Sequence, residues 1–398
     1  MKITTYEDFI EKIHSTIKPR RLLTTACLNH QQLSQPHINS LANTLSEIQQ
    51  IPAVGNHRIL PSANGESIKF SIDYEQEELK KDLYFFHQGQ EAFMEKYQTQ
   101  KDQKEIRDGV QFLQRYSDQK ITSFITDRDG TINNYCTRYN TSVQSAYNAV
   151  LLTEFAATRK NALILTSAPL SNIGLRELSV APEHHFILAG SKGREYMFND
   201  MMGHQALSDN EKLIMEQLNQ DLNQLVKRKK YRIFTRIGSG LQYKFGQTTI
   251  ARQDIHYSID QKKSDSFLKE VQKIVSQYNQ EKTSLIIEDT GLDIEIILTT
   301  PATEKGPTKD YDKGNGLAFL HQALQLDLSH DITLICGDTF SDLPMLDYSV
   351  SVNKNTLAIF VTESKKLQEE VRKITSRCYF VTKPDNLIFL LNKTKSLP

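Results

Sequence analysis

Four short stretches of this chain carry residues whose types and spacing could do chemistry together. The first is Ile121-Thr-Ser-Phe-Ile-Thr-Asp127-Arg-Asp129-Gly130-Thr131. Its apolar, β-branched run around Phe124 and Ile125 reads as a buried parallel strand. Side chains two apart leave a strand on the same side. Asp127 and Asp129 can therefore converge on one cation or one reacting group, at the strand end where open α/β sheets bind ligands. Gly130 lets the chain turn there without a Cβ in the way. Alone, Asp-x-Asp-Gly reads equally well as an acidic turn.

The other three stretches follow in order: Thr166-Ser167 after a second apolar run, Lys313 opening a helix, and Gly337-Asp338-x-x-x-Asp342 after a third run. Singly they have ordinary readings: a helix cap, a solvated cation, a turn. Jointly they make a phosphoryl-transfer site. One carboxylate can attack phosphorus, and a second, two residues on, can protonate the leaving oxygen and then activate water. A hydroxyl and an ammonium can hold phosphoryl oxygens. A further carboxylate can complete the oxygen shell of Mg²⁺.

The elements that must position these groups follow from periodicity. Residues 1 to about 118 read as helical, with stripes at Phe9, Ile10, Ile13 and at Leu41, Leu45, Ile48. This is an accessory domain, or a self-association element through which the chain could form a homo-oligomer. Beyond 121 the pattern becomes strand–helix alternation: an amphipathic helix over 142–159, strands at 162–167 and 332–338, and shorter strands at Val350–Val352 and Ala358–Val361. That alternation implies a parallel sheet with helices on both faces. Within 172–308 the rhythm differs: helix 209–229, strands 231–237 and 241–252, helix 262–280, strands 284–289 and 292–299. This reads as an inserted antiparallel domain. The expected division is a helical domain over 1–118, a core over 119–171 and 309–398, and an insertion over 172–308.

Lys+Arg and Asp+Glu both number 48, so no global field favours nucleic acid or an anionic membrane. No apolar run is long enough to span a bilayer. Cys27, Cys136, Cys336 and Cys378 match no metal spacing and read as reduced thiols of a soluble cytoplasmic protein. Lys227-Arg-Lys-Lys230 suits a helix C-terminus, Gly190-Ser-Lys-Gly193 lacks the P-loop spacing, and His184-His185 lacks further ligand-spaced partners.

The four motifs resemble those of the haloacid dehalogenase superfamily of aspartyl-phosphate phosphatases, over roughly residues 120–395. The resemblance implies a Rossmann-like α/β core with Asp127 as nucleophile and Asp129 as general acid/base. Thr166 or Ser167 would bind phosphate with Lys313, and Asp338 and Asp342 would bind Mg²⁺ together with Asp127 and the backbone carbonyl of Asp129. Thr166 follows Asp127 by 39 positions and Lys313 follows Thr166 by 147, so the cap is inserted between the second and third motifs. An αββαββ cap there is similar to the sugar-phosphatase branch, and most to the trehalose-6-phosphate phosphatase family. Ala189-Gly-Ser-Lys-Gly-Arg-Glu195, Leu241-Gln242-Tyr-Lys244 and Glu295-Ile-Ile-Leu carry that likeness, implying substrate contacts from Lys244, Gln242 and Glu195. The implied substrate is a small-molecule sugar phosphate, with a phosphosugar mutase, another metabolite phosphatase or a silent binding module as alternatives. Arg128 stands where the family has an aromatic residue, Thr339-Phe340 replaces an expected acid, the arginine expected after Thr166-Ser167 is missing, and Lys305-Gly306 rivals the third motif.

Overall fold

The structure is a computed structural model that describes residues 2–55, 57–254, 257–279, 285–299 and 311–398. Lys305-Gly306 lies outside the described residues. The chain opens with helices α1 (Tyr6–His14), α2 (Ile17–Leu28) and α3 (Gln35–Gln49). Three short antiparallel strands follow, β1 (Ala53–Val54), β2 (His57–Pro61) and β3 (Ser67–Phe70). Helices α4 (Asp73–Lys96) and α5 (Gln100–Gln114) complete the region, α4 being broken at Gly89 by a φ of +80°. The small sheet was not expected from the helical periodicity around it.

The core then runs β4 (Ile121–Thr126), α6 (Ala146–Ala156), β5 (Asn161–Leu165), a short α7 (Leu175–Leu178), β6 (Ile187–Gly190), β7 (Glu195–Phe198) and β8 (Met201–His204). The inserted unit is α8 (Asp209–Lys227), β9 (Leu241–Lys244), β10 (Gln247–Ala251), α9 (Gln261–Ser276), β11 (Leu285–Asp289) and β12 (Asp293–Leu298). The chain returns to the core through α10 (Lys313–Ala323), β13 (Ile332–Gly337), α11 (Leu343–Val352), β14 (Leu357–Val361), α12 (Lys365–Ile374), β15 (Cys378–Val381) and α13 (Pro384–Lys393).

One eight-stranded sheet has the order β15-β14-β13-β4-β5-β6-β7-β8, parallel as far as β6 and antiparallel through the β6-β7-β8 meander. The three motif-bearing strands β13, β4 and β5 are neighbours at its centre. Thr126 pairs with both Cys336 and Ile164. The residues next in the chain therefore emerge level with one another: Asp127 one residue past Thr126, Thr166 two past Ile164, and Asp338 two past Cys336.

Four expectations need correction. The segment 172–308 begins with core structure, because β6, β7 and β8 extend the main sheet. The β7–β8 turn at Asn199-Asp200, both with positive φ (48° and 62°), is what folds β8 back against β7. Residues 232–235 form a 3₁₀ turn rather than a strand, with Phe234 stacked on Phe267 at 4.0 Å. Val350–Val352 ends helix α11. Helix α6 is not amphipathic: all its residues but Glu154 are buried, because α2, α4 and α13 cover the face that would meet water. A helix apolar all round is buried all round.

Candidate active site

Asp127 leaves β4 with its N–H donated to the Cys336 carbonyl at 3.0 Å, so the backbones of β4 and β13 fix it beside Asp338. The turn that follows is tight. The Arg128 carbonyl accepts from the N–H groups of Thr131, Ile132 and Asn133, and Gly130 adopts φ +87°. A Cβ on Gly130 would clash with Asp338 Oδ2 and lie 2.9 Å from its Cγ, so glycine is required for Asp338 to sit where it does.

Lys313, buried at the first position of α10, donates to Asp127 Oδ1 and Asp342 Oδ1, both at 2.5 Å. Asp312 caps that helix by accepting from the Asn315 N–H at 2.9 Å, which fixes where Lys313 begins. Asp342 Oδ2 accepts from the N–H groups of Asp338 (3.0 Å) and Thr339 (2.9 Å), while the Thr131 hydroxyl donates to Asp338 Oδ1 at 3.0 Å. One carboxylate oxygen from each of Asp127, Asp338 and Asp342 lies within 4.8 Å of the other two.

Burial, joined by repulsion from Asp342, pushes the Asp127 carboxyl upward against the pull of Lys313. Asp338 is pushed up by burial and then by Asp127 and Asp342. Burial works against the charge on Lys313, but Asp127 and Asp342 outweigh it and hold the ammonium protonated. Three hard-oxygen donors share one lysine, and a divalent cation would supply the missing positive charge. The donor set fits Mg²⁺.

Asp129 stands beside this cluster rather than in it. Its Oδ1 accepts from Arg128 Nη1 at 2.5 Å and from the Ser142 hydroxyl at 2.8 Å, with Asn133 Nδ2 at 3.5 Å. Arg128 also donates to the Ser142 carbonyl and hydroxyl. Thus the arginine in the aromatic position is a buried partner of the second carboxylate.

A cavity of about 220 Å³ opens between these groups and the inserted unit, lined by Asp127, Asp129, Thr166, Ser167, Lys313 and Asp338 on the core side. On the cap side it meets Gln242, Lys244, Thr249, Asp293 and Glu295. Thr249 pairs with Gln242 on one side and Glu295 on the other, so the register draws a polar row across three cap strands. Lys244 is buried, which lowers its pKa, with Glu295 opposing that shift.

Glu195 is not among the lining residues. Its carboxylate accepts from the Leu170 N–H (3.0 Å) and the Ser191 hydroxyl (2.6 Å), tying the loop after β5 to the turn after β6. The glycines near it serve packing: a Cβ on Gly193 would lie 2.7 Å from the Gly316 Cα in α10. Tyr139, Ser239, Asp293 and Ser341 line the cavity without any motif to announce them. The spacing Asp293/Glu295, like Gln242/Lys244, places both members on one strand face and was the available signal.

All four cysteines are free, and no helix among the described residues is long and apolar enough to cross a membrane.

Residues 124–387 match the family model for the C-terminal part of trehalose-6-phosphate phosphatase, and residues 5–104 match the model for its N-terminal helical bundle domain. The chain is 33% identical over 298 residues to a trehalose-phosphatase of Brugia malayi, covering 71% of this chain and 59% of that one. It is 30% identical over 415 residues to alpha,alpha-trehalose-phosphate synthase [UDP-forming] 2 of Caenorhabditis elegans, covering 97% of this chain and 33% of that one. The chain thus spans a third or less of the length of the first curated relatives it matches. Among solved structures, the C-terminal domain of the C. albicans trehalose-6-phosphate phosphatase aligns with a TM-score of 0.47 at 14% identity, covering 73% of this chain and 97% of that one. A family model that covers residues 124–387 of this chain, preceded by a second one from the same family, decides the classification: the chain belongs to the trehalose-6-phosphate phosphatase family.

Proposed function

We propose that this chain is a Mg²⁺-dependent phosphomonoester hydrolase that acts on a sugar phosphate, trehalose-6-phosphate first among them, in the cytoplasm. The observation that carries the reading is the convergence of Asp127, Asp338, Asp342 and Lys313 at one point, with Asp129 adjacent and a polar cap face opposite.

In this reading an Asp127 oxygen attacks phosphorus, and the P–O bond to the sugar breaks with its electron pair going to the sugar oxygen. That oxygen takes a proton from Asp129. Asp129, now a carboxylate, removes a proton from water, whose oxygen attacks the aspartyl-phosphate. Inorganic phosphate leaves, and the Asp127 carboxylate is restored. Lys313 fixes the orientation of Asp127 through its bond to Oδ1 and, with Thr166 or Ser167, holds phosphoryl oxygens. Mg²⁺, held by Asp127, Asp338, Asp342 and the Asp129 carbonyl, would neutralise charge on the phosphoryl group. Gln242 and Lys244 are assigned to sugar hydroxyls, and Glu195 is reassigned to tying the loop after Thr166 to the turn after β6.

The test is phosphate release from a panel of sugar phosphates, with and without Mg²⁺, beside Asp127→Asn. Release from trehalose-6-phosphate that EDTA abolishes, and that the variant lacks while keeping its circular dichroism, is the expected result. Transfer to a sugar acceptor would indicate a mutase. Release from other esters alone would discard the substrate, and release from none would leave a binding module.

A further inference from the structure

Helix α4 belongs to the N-terminal region, yet its first turns reach the loop that follows Asp129. The hydroxyl of half-buried Tyr74 donates to the Val143 carbonyl at 2.8 Å and lies 3.0 Å from Asn133 Nδ2. Asn133 Nδ2 in turn lies 3.2 Å from the Ser142 hydroxyl and 3.5 Å from Asp129 Oδ1. The next residue, Glu75, accepts from Arg138 Nη2 at 2.9 Å and from the Thr141 hydroxyl at 2.6 Å, so α4 holds both ends of the 133–142 loop. Arg128 closes the ring from the other side, almost fully buried at 2% exposure.

The hydrogen bonds that Asp129 makes among the described residues all converge on one oxygen, Oδ1. The same side chain lines the cavity. One oxygen is anchored, and the other is left to exchange a proton with a ligand. A carboxylate that must give a proton to a leaving oxygen and then take one from water gains from being held at a fixed angle, because proton transfer requires hydrogen-bond reach in both half-reactions.

We propose that Arg128, together with Tyr74 acting through Asn133, is the positioning machinery for Asp129, so that a residue of the N-terminal helical region is part of the active site's support. This rests on the function proposed above. Arg128 replaces packing at the aromatic position by a charge-assisted bond to the neighbouring carboxylate. Tyr74 fixes the asparagine that keeps the Ser142 hydroxyl on Oδ1.

The leaving group separates positioning from mere stability. A sugar oxygen departs as an alkoxide unless a proton is delivered to it, whereas p-nitrophenolate departs without one. Single-turnover release of the leaving group, trehalose from trehalose-6-phosphate and p-nitrophenolate from p-nitrophenyl phosphate, which precedes the water attack common to both, is compared, with Mg²⁺, for the native chain, Arg128→Leu, Arg128→Lys and Tyr74→Phe. Arg128→Leu is expected to slow the sugar ester by roughly 100-fold while changing the aryl ester by less than about threefold. Arg128→Lys recovers part of the loss. Tyr74→Phe shows the same selectivity at about tenfold. Saturation with either ester changes little, since no sugar contact is removed. Equal losses on both esters, or none on the sugar ester, overturn the assignment while leaving the hydrolase intact. A native chain inert towards trehalose-6-phosphate overturns the proposed function and the assignment with it. Should Arg128→Leu fail to fold, the two conservative variants carry the test.

Discussion

The helical N-terminal region and the inserted cap both adjoin the α/β core, yet they meet it in opposite ways. The N-terminal helices share one continuous apolar cluster with the core: Phe9, Leu41 and Phe93 belong to the same buried set as Phe124, Tyr147 and Phe389. The cap has its own cluster, built on Phe234, Phe267, Ile250 and Ile296. Between cap and core lies a polar cavity. Association through apolar packing resists separation, whereas units with separate cores joined across polar surface can move relative to each other. Freedom to move relative to the core therefore belongs to the cap, and rigidity belongs to the helices.

The strongest way to break this contrast is to remove its central side chain. Phe93 packs on Tyr147 of α6 at 4.6 Å and lies 5.8 Å from Phe389 of α13. Phe93→Ala is expected to cost about 4 kcal/mol and to lower the stability of helices and core together, in one transition seen identically by far-UV circular dichroism and by loss of phosphate release. Two separate transitions would show that the shared core does not couple them. Phe267→Ala, which deletes the partner of Phe234, is expected to cost about 3 kcal/mol but inside the cap. Hydrogen exchange should then rise across residues 209–298 and stay unchanged in β4, β5 and β13.

A smaller effect sharpens the helical interface. Asp102 of α5 accepts from Lys383 at 2.8 Å and Asn386 at 2.9 Å beside α13. Burial opposes its charge, yet these donors and Thr99 outweigh it and hold the carboxyl below its ordinary 3.8. A depressed folded pKa contributes stability above the unfolded value, and that contribution is lost as pH falls through the folded one. The stability gap between native chain and Asp102→Asn should be about 2 kcal/mol at neutral pH and should narrow progressively as pH falls below 3.8 in urea titrations. A gap that persists in acid would place the cost elsewhere.

The smallest effect concerns the cap's contact with the helices. Arg236 donates to Glu7 at 3.1 Å and Glu66 at 2.8 Å, and its carbonyl accepts from the Tyr6 hydroxyl at 3.0 Å. With both acids partly exposed, Arg236→Ala is expected to change stability by only about 0.5 kcal/mol. Faster exchange in the 232–240 segment, with none in α4, would locate the tether at the cap's edge.

Much of the core was legible because its strands are continuous apolar runs that end in chemistry-bearing residues; Asp127, Asp338 and Asp342 follow from that pattern, and Lys313 from a helix start. The two-residue spacing in Gln242/Lys244 carried the cap face. What failed was short or doubly determined. Val350-Ser-Val alternates over three residues, too few to outweigh the helix that Pro344 starts. Tyr231-Arg-Ile-Phe also alternates, but Phe234 is drawn into the cap core by stacking on Phe267. Glu195 sits in a segment whose glycines suggested ligand contact, but Gly193 instead lets the backbone meet α10 and Gly190 lets it meet Leu170. The roles of Arg128, Asn133 and Ser142 depend on a loop conformation that α4 imposes from a region more than fifty residues earlier in the chain. No local pattern encodes that.

The seat of α13 between α5 and α6 has a consequence for biosynthesis. Asn386 and Asp102, which bond across that seat, are 284 positions apart. At ribosomal rates that distance takes roughly 15 s to 1 min to translate. For that interval α5 lacks the contacts it makes with β15 and α13, among them the stacking of Phe112 on Tyr379. The helical region is made early and finished late: its seat for α13 fills only after residues 384–393 have been made.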